Sequence, residues 1–337
     1  MRPSALQTIQ QILLTYYRDA LYPSCNQTLA DTIVDVQLLS QITTRIRLYG
    51  ADCDQTALVL EAIKQTKTNL KVFPAIYVVD KDDAGFLRQK TAIQQALQAY
   101  GTDNVLGITV GNEFMLNYIT EHKATSANST VGLAASAVLK TRVADIRQML
   151  TSMSITLPVG TSDAGSYFNN DLLGAVDFGC AFNSRCLGTE LTDDFVFVCI
   201  LILFMSSMSN VHAWFAGTTI QDAANWTFTF FQETNVDVAN ALANKPQMYI
   251  AETGWPTASS TTAEKTDGAS EASEPNLQIF LNNFVCTANT QGVKYFFFEF
   301  TDIPWKERLY PGVEGFWGLF DSNKKLKALT LPDCTHD

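Results

Sequence analysis

Basic residues and histidine are scarce in this chain. Its 337 residues include 23 lysines and arginines against 34 acidic residues, a formal net charge of −11. Nucleic acids and anionic membranes are held by clustered cations, so neither is an expected partner. The three histidines, His122, His212 and His336, are far apart, and the seven cysteines contain no CxxC pair. Zinc and dithiol redox sites need such spacings, and the expectation is a protein without metal or other cofactor. There is no GxGxxG, P-loop or HExxH motif. Gly160-Thr-Ser-Asp-Ala164 lacks the second glycine of a serine-hydrolase nucleophile elbow. The longest apolar run, Phe195–Met205, is short of the ~20 residues a membrane-spanning helix needs. The opening stretch, Met1–Gln11, is polar and shows no apolar core of a signal peptide.

Charged residues amount to 17% of the chain, below the roughly 25% of average soluble proteins. Hydrophobic residues reach 47% and aromatics 11%, which suits a secreted monomer that handles neutral ligands. Sequons at Asn26, Asn128 and Asn225 are consistent with a secretory route and N-glycosylation.

Short apolar, β-rich runs recur at Ile12–Tyr16, Thr44–Tyr49, Val72–Val79, Val105–Val110, Leu157–Gly160, Asn210–Phe215, Gln247–Ala251 and Val293–Phe300. Helical periodicity fills most gaps, clearest in Gln55–Thr66, Phe86–Tyr100, Ala134–Ser152 and Asn276–Thr290. Continuous apolar strands alternating with helices indicate a parallel sheet covered by helices. Eight such units predict an α/β fold, a single (β/α)8 TIM barrel over residues 1–337. One stretch does not fit that rhythm. Cys180–Ser207 carries three cysteines and the FVFVCILILFM run, between pieces that would otherwise join as one sixth strand. It reads as an atypical insert foreign to the fold, such as translated intron sequence; the alternative is a loop with its own disulfide. Ser259–Pro275 is rich in Ser, Thr, Ala and Glu and reads as a solvated loop at the rim.

Barrel enzymes place their chemistry at the carboxyl ends of the strands. The fourth strand ends in Thr109-Val-Gly-Asn-Glu113 and the seventh in Tyr249-Ile-Ala-Glu-Thr-Gly-Trp-Pro256. Two glutamates at such ends can supply the acid and the nucleophile of glycosidic cleavage. Further segments are TRIRLYGADC from Thr44, LPVGTSD from Leu157, NVHAWFAG from Asn210 and GFWGLFDSNKKLK from Gly315. With VGNE and ETGWP in this order, the chain resembles glycoside hydrolase family 17, the fungal β-1,3-glucanases and glucanosyltransferases of the cell wall.

That resemblance implies a retaining β-1,3-glucanase, secreted or in the cell wall, acting on β-glucan polysaccharide or oligosaccharide. Glu113 would be the general acid/base and Glu252 the nucleophile. A glucanosyltransferase is the nearest alternative, and a non-catalytic glucan-binding wall protein the alternative of another class. Asn112 would bond the sugar 2-OH; Tyr49 would sit by the nucleophile or pack in the core, and Trp214 and Trp255 would stack on sugar faces or, equally, pack as buried residues. Lys306 and Glu314 match cleft positions. Ile303 stands where relatives usually carry a carboxylate, leaving Lys306 less compensated, and Ala213 stands where proline is common. Outside the insert, Cys25, Cys53, Cys286 and Cys334 allow three pairings; Cys25–Cys53 and Cys286–Cys334 are the pairings expected.

Overall fold

The computed structural model describes residues 14–16, 22–181 and 211–334. Nine short strands form one all-parallel sheet. They are β1 (Leu14–Thr15), β2 (Arg45–Arg47), β3 (Lys71–Phe73), β4 (Ala75–Ile76), β5 (Ile108–Asn112), β6 (Val159–Ser162), β7 (Phe178–Ala181), β8 (Gln247–Thr253) and β11 (Tyr295–Phe297). The spatial order is β3-β2-β1-β11-β8-β7-β6-β5-β4. Its two ends, β3 and β4, are successive pieces of one chain segment broken only by Pro74. Proline has no N–H for a ladder, yet its carbonyl still accepts from the Thr109 N–H at 2.9 Å.

Helices fill most of the connections: α1 (Leu29–Leu39), α2 (Gln55–Thr66), α3 (Asp83–Tyr100), α4 (Phe114–Glu121), α5 (Thr130–Ser152), α6 (Asn170–Leu173), α7 (Ala223–Phe231), α8 (Asp237–Asn240), α9 (Glu274–Thr290) and α10 (Pro304–Leu309). Side-chain oxygens of Thr28, Asp82, Ser129 and Ser273 cap α1, α3, α5 and α9 by accepting from first-turn N–H groups. None of the helices among the described residues is long and apolar enough to cross a membrane.

In α9 the spacing Leu277, Phe280, Leu281, Phe284, Val285, Ala288 puts one apolar stripe on the sheet, and all six are buried. Phe284 stacks on Phe280 at 5.3 Å and on Phe228 of α7 at 5.0 Å, and meets Tyr295 of β11 edge-on at 5.0 Å. Phe284→Ala is expected to cost about 3–5 kcal/mol of stability, read as a lower denaturant midpoint with an unchanged slope. Disulfides join Cys25 to Cys53 and Cys286 to Cys334. The first fastens the loop after β2, and the second ties α9 to the C-terminal segment.

Two expectations differ from the structure. The sixth strand is formed by Phe178–Ala181, between β6 and β8, which overlaps the expected first half Ala175–Gly179; the expected run beyond the insert is no strand where it is described, since Val211 to Gly217 runs as bend and turns. An apolar, aromatic run satisfies a strand pattern, but here its side chains pack into an aromatic cluster without ladder pairing. The proposed insert, Cys180–Ser207, lies outside the described residues from position 182 onward. The polar segment Ser259–Pro275 contains a small antiparallel hairpin, β9 (Thr266–Asp267) with β10 (Ser270–Glu271). Ser270 Oγ donates to the Thr218 carbonyl at 2.8 Å and docks the hairpin on the turn after Trp214.

Candidate active site

The carboxyl ends of β2, β5, β6 and β8 converge on one guanidinium. Arg47, fully buried, donates through Nη1 to Glu252 Oε1 at 3.0 Å. Through Nη2 it donates to Asn112 Oδ1 at 2.6 Å and to Ser162 Oγ at 2.7 Å. Its guanidinium carbon lies 4.5 Å from the centre of the Tyr49 ring. A buried charge persists only when paired and hydrogen-bonded, and these four strand ends supply that pairing.

Local backbone explains how Glu113 reaches the same place. Gly111 has φ +90°, and a Cβ there would stand 2.9 Å from Leu139 Cδ2. The β5–β6 register shifts between Thr109 and Asn112. The glycine permits that irregularity, which presents Asn112 and then Glu113 at the strand end. The Glu113 N–H donates to the Ser162 carbonyl at 3.0 Å. Gly254 plays a comparable part after Glu252, since a Cβ there would lie 2.2 Å from the Phe298 carbonyl oxygen.

Asn112 Oδ1 also accepts from Ser162 Oγ at 3.2 Å. With its oxygen doubly engaged, its amide NH2 is left to donate to a ligand. Glu113 Oε1 is buried and accepts no hydrogen bond among the described residues, whereas Glu252 also accepts from the Tyr49 hydroxyl. Buried polar atoms are nearly always paired, so the unpaired oxygen marks Glu113 as a candidate functional group.

The two glutamates differ electrostatically. Burial raises the Glu113 pKa well above the ordinary carboxyl value, and the charges of Glu252 and Asp163 raise it further. Burial also lifts Glu252, to about 7, but Arg47, Tyr49 and Lys306 favour its ionised form. Burial and neighbouring carboxylates favour the protonated form of Glu113, while Arg47, Tyr49 and Lys306 oppose the effect of burial at Glu252, an asymmetry of the kind an acid and a nucleophile use.

Lys306 Nζ pairs with Glu299 at 3.2 Å and lies 4.5 Å from the Phe298 ring centre. Glu299 is thus one counter-charge of the cation, and Ile303 is buried at the start of α10. Burial pushes the Glu299 pKa to about 8, against the pull of Lys306. Glu314 is partly exposed and interacts with the charges of Lys306 and Glu252.

Trp214 is buried in an aromatic cluster with Phe215 and Trp317. His212 packs in the same cluster at 4.2 Å from Trp317, and burial lowers its pKa to about 3, leaving it neutral. Trp255 has no exposed surface. Its Nε1 donates to the Glu271 carbonyl at 2.8 Å and its ring neighbours Phe280 of α9. Its place is in the core, the packing alternative and not the sugar platform. Ala213 is buried in the turn and accepts from Thr218 Oγ1 at 2.9 Å. Asn26, Asn128 and Asn225 are exposed. A depression beside the Cys25–Cys53 disulfide, bordered by Tyr22, Asp52 and Arg88, contains neither glutamate.

Arg47, Ser162, Asp163 and Glu299 were not singled out by sequence reasoning, although all four stand inside or beside the motifs. The available signal was a charged or hydroxyl side chain ending an apolar strand run.

Paired buried carboxylates at parallel strand ends, set among polar groups that separate their protonation, define the class: a glycoside hydrolase domain. The chain belongs to the BtgE/BtgC glycoside hydrolase domain family, whose model matches residues 12–183 and 206–318. This bears out the resemblance read from the motifs. The break at 184–205 falls within the segment read as an insert.

The chain is 34% identical to the putative glucan endo-1,3-beta-glucosidase btgC of Aspergillus niger, over 93% of this chain and 42% of that protein. To the glucan endo-1,3-beta-glucosidase btgC of Emericella nidulans it is 29% identical, over 89% of this chain and 42% of that protein. It thus spans less than half the length of these relatives. Among solved structures, the fold is similar to a glycoside hydrolase family 17 β-1,3-glucanosyltransferase from Rhizomucor miehei. That match has a TM-score of 0.69 at 20% identity, covering 95% of this chain and 97% of the other. An endo-laminarinase from Formosa has a TM-score of 0.68 at 19% identity, covering 95% and 85%.

Proposed function

We propose that this chain is a retaining glycoside hydrolase of β-1,3-glucan, secreted or in the cell wall, on a sheet closed as a (β/α)8 barrel. The carrying observation is the buried Arg47 bridge from Glu252 to Asn112, beside a buried Glu113 carboxyl oxygen with no partner among the described residues. The strand order that starts and finishes on either side of Pro74 supports closure. The break in the family match supports reading 180–207 as foreign to the domain. Exposure of Asn26, Asn128 and Asn225 suits N-glycosylation.

Cleavage begins when Glu113 gives its proton to the glycosidic oxygen. As the C1–O bond breaks, the Glu252 carboxylate forms a bond to C1, giving a glycosyl ester. The Asn112 amide donates to the 2-OH, a contact that strengthens as charge develops on the ring. The Glu252 carboxylate, facing C1, favours the cationic, oxocarbenium-like transition state. In the second step Glu113, now a base, takes a proton from water. The water oxygen bonds C1, and Glu252 leaves as carboxylate. If a sugar hydroxyl takes the place of water, the same site transfers glucan chains. Lys306 and Glu314 bind the sugar, and Tyr49 with Arg47 keeps the nucleophile oriented.

Incubation with laminarin oligosaccharides of one length tests the reading. Only shorter products are expected. Products longer than the donor would establish transfer in place of hydrolysis. Binding without any change in chain length would overturn the catalytic reading in favour of a non-catalytic glucan-binding protein.

A further inference from the structure

We propose that Asp163 is a positioning residue that takes over the capping of α4 and so keeps the Glu113 carboxyl free for the substrate. The inference rests on the reading of Glu113 as the acid/base.

Glu113 occupies the N-cap position of α4, with φ 54°, and its side chain makes no capping hydrogen bond. That is unusual for an acidic side chain. The first-turn N–H groups of a helix lack intrahelical partners and carry partial positive charge. A carboxyl at the N-cap is drawn to them and typically bonds the second or third N–H of the helix. Here those donors are already taken. Met115 N–H donates to Asp163 Oδ2 at 2.6 Å, and Leu116 N–H donates to Asp163 Oδ1 at 3.0 Å. The Ala164 N–H completes the set on Oδ1 at 3.0 Å.

Asp163 is fully buried and directly follows Ser162. The backbone carbonyl of Ser162 receives the Glu113 N–H, and its hydroxyl bonds Arg47 and Asn112. One dipeptide therefore fixes the backbone of Glu113, occupies the donors that compete for its carboxyl and supports the Arg47 bridge. Burial lifts Asp163 itself to about 7 against the pull of its three N–H donors, and above that pH its charge opposes ionisation of Glu113.

Asp163→Asn removes that charge and leaves an amide NH2 facing at least one helix N–H. The Glu113 carboxyl is then free to fold back on its own helix, where the N–H groups favour its ionised form. Both effects lower its pKa, so the alkaline limb of kcat/KM should move to lower pH. A misplaced acid costs on the order of 10²-fold in kcat on laminarin, whose leaving group needs a proton. The loss should be far smaller on a dinitrophenyl β-laminaribioside, whose phenolate leaves unprotonated. Asp163→Glu, which restores charge and acceptors, should bring the alkaline limb back toward that of the parent enzyme.

Equal losses on both substrates with an unmoved alkaline limb would reduce Asp163 to a structural cap and overturn the proposal, as would parent-like activity on both. If Asp163→Asn does not fold by circular dichroism, Asp163→Ser carries the same comparison with one acceptor and no charge. Failure of the underlying reading is distinguishable. It would show as Glu113→Ala lacking rescue by azide, whereas failure of this inference alone leaves that rescue intact.

Discussion

Glu252→Gln should lower kcat on laminarin by roughly 10⁵–10⁶-fold, the scale seen when a covalent mechanism loses its nucleophile. The amide is nearly isosteric and still accepts from Arg47 Nη1, which now lies 3.0 Å from the carboxylate. The fold should therefore survive, and substrate affinity by calorimetry should change little. The loss is expected on dinitrophenyl and natural substrates alike, because both need a group to trap C1. A mechanism-based fluoroglycoside should label the parent enzyme on Glu252 and leave the variant unlabelled, as shown by peptide mass. Laminarin cleavage unchanged in Glu252→Gln would refute this assignment.

Glu113→Ala should show a different pattern. General acid catalysis contributes about 10²–10⁴-fold, so laminarin turnover falls by that range. Activated aryl substrates retain their first step and accumulate glycosyl-enzyme. Azide, which needs no deprotonation to attack C1, should restore turnover and yield a glycosyl azide of retained configuration. The alkaline limb of the parent pH profile should vanish in this variant. In the parent enzyme the acid must be protonated, so activity is lost as pH rises through the raised pKa of Glu113. The acidic limb belongs to Glu252, which must be ionised, so activity falls as pH drops through its value of about 7. An inverted product or a persistent alkaline limb would remove Glu113 from the acid role.

Local pattern carries much of this protein and misses a definable remainder. α2 occupies the predicted Gln55–Thr66, and α9 begins only two residues before the expected Asn276. These helices follow from apolar spacing and capping chemistry, both written in consecutive residues. Glu113 and Glu252 were legible because each closes a strand run and sits in a glycine-containing motif. The role of Arg47 was not legible, because its partners lie 65, 115 and 205 positions away. Only the folded sheet brings such side chains together. Trp255 misleads for a related reason. Its motif is specific, but the irregular segment after Gly254 places the indole beside Phe280. Glu299 went unweighted beside Lys306 because the local comparison drew attention to Ile303. The run beyond the insert misleads because an aromatic run that packs as turns has the composition of a strand.

The buried Arg47 also bears on how the chain finds its register. Side chains alternate across a strand, so a one-residue slip of β2 would turn Arg47 out of the interior and put a neighbour in its place. Glu252 and Asn112 would then lose their shared donor, and a buried carboxylate would stand without its counter-charge. Such a chain is penalised as a fold and silent as a catalyst for the same reason. The charge that pairs with Glu252 thereby acts as a proofreading mark: only the correctly threaded sheet can read it, and on the proposed function only that sheet would be active.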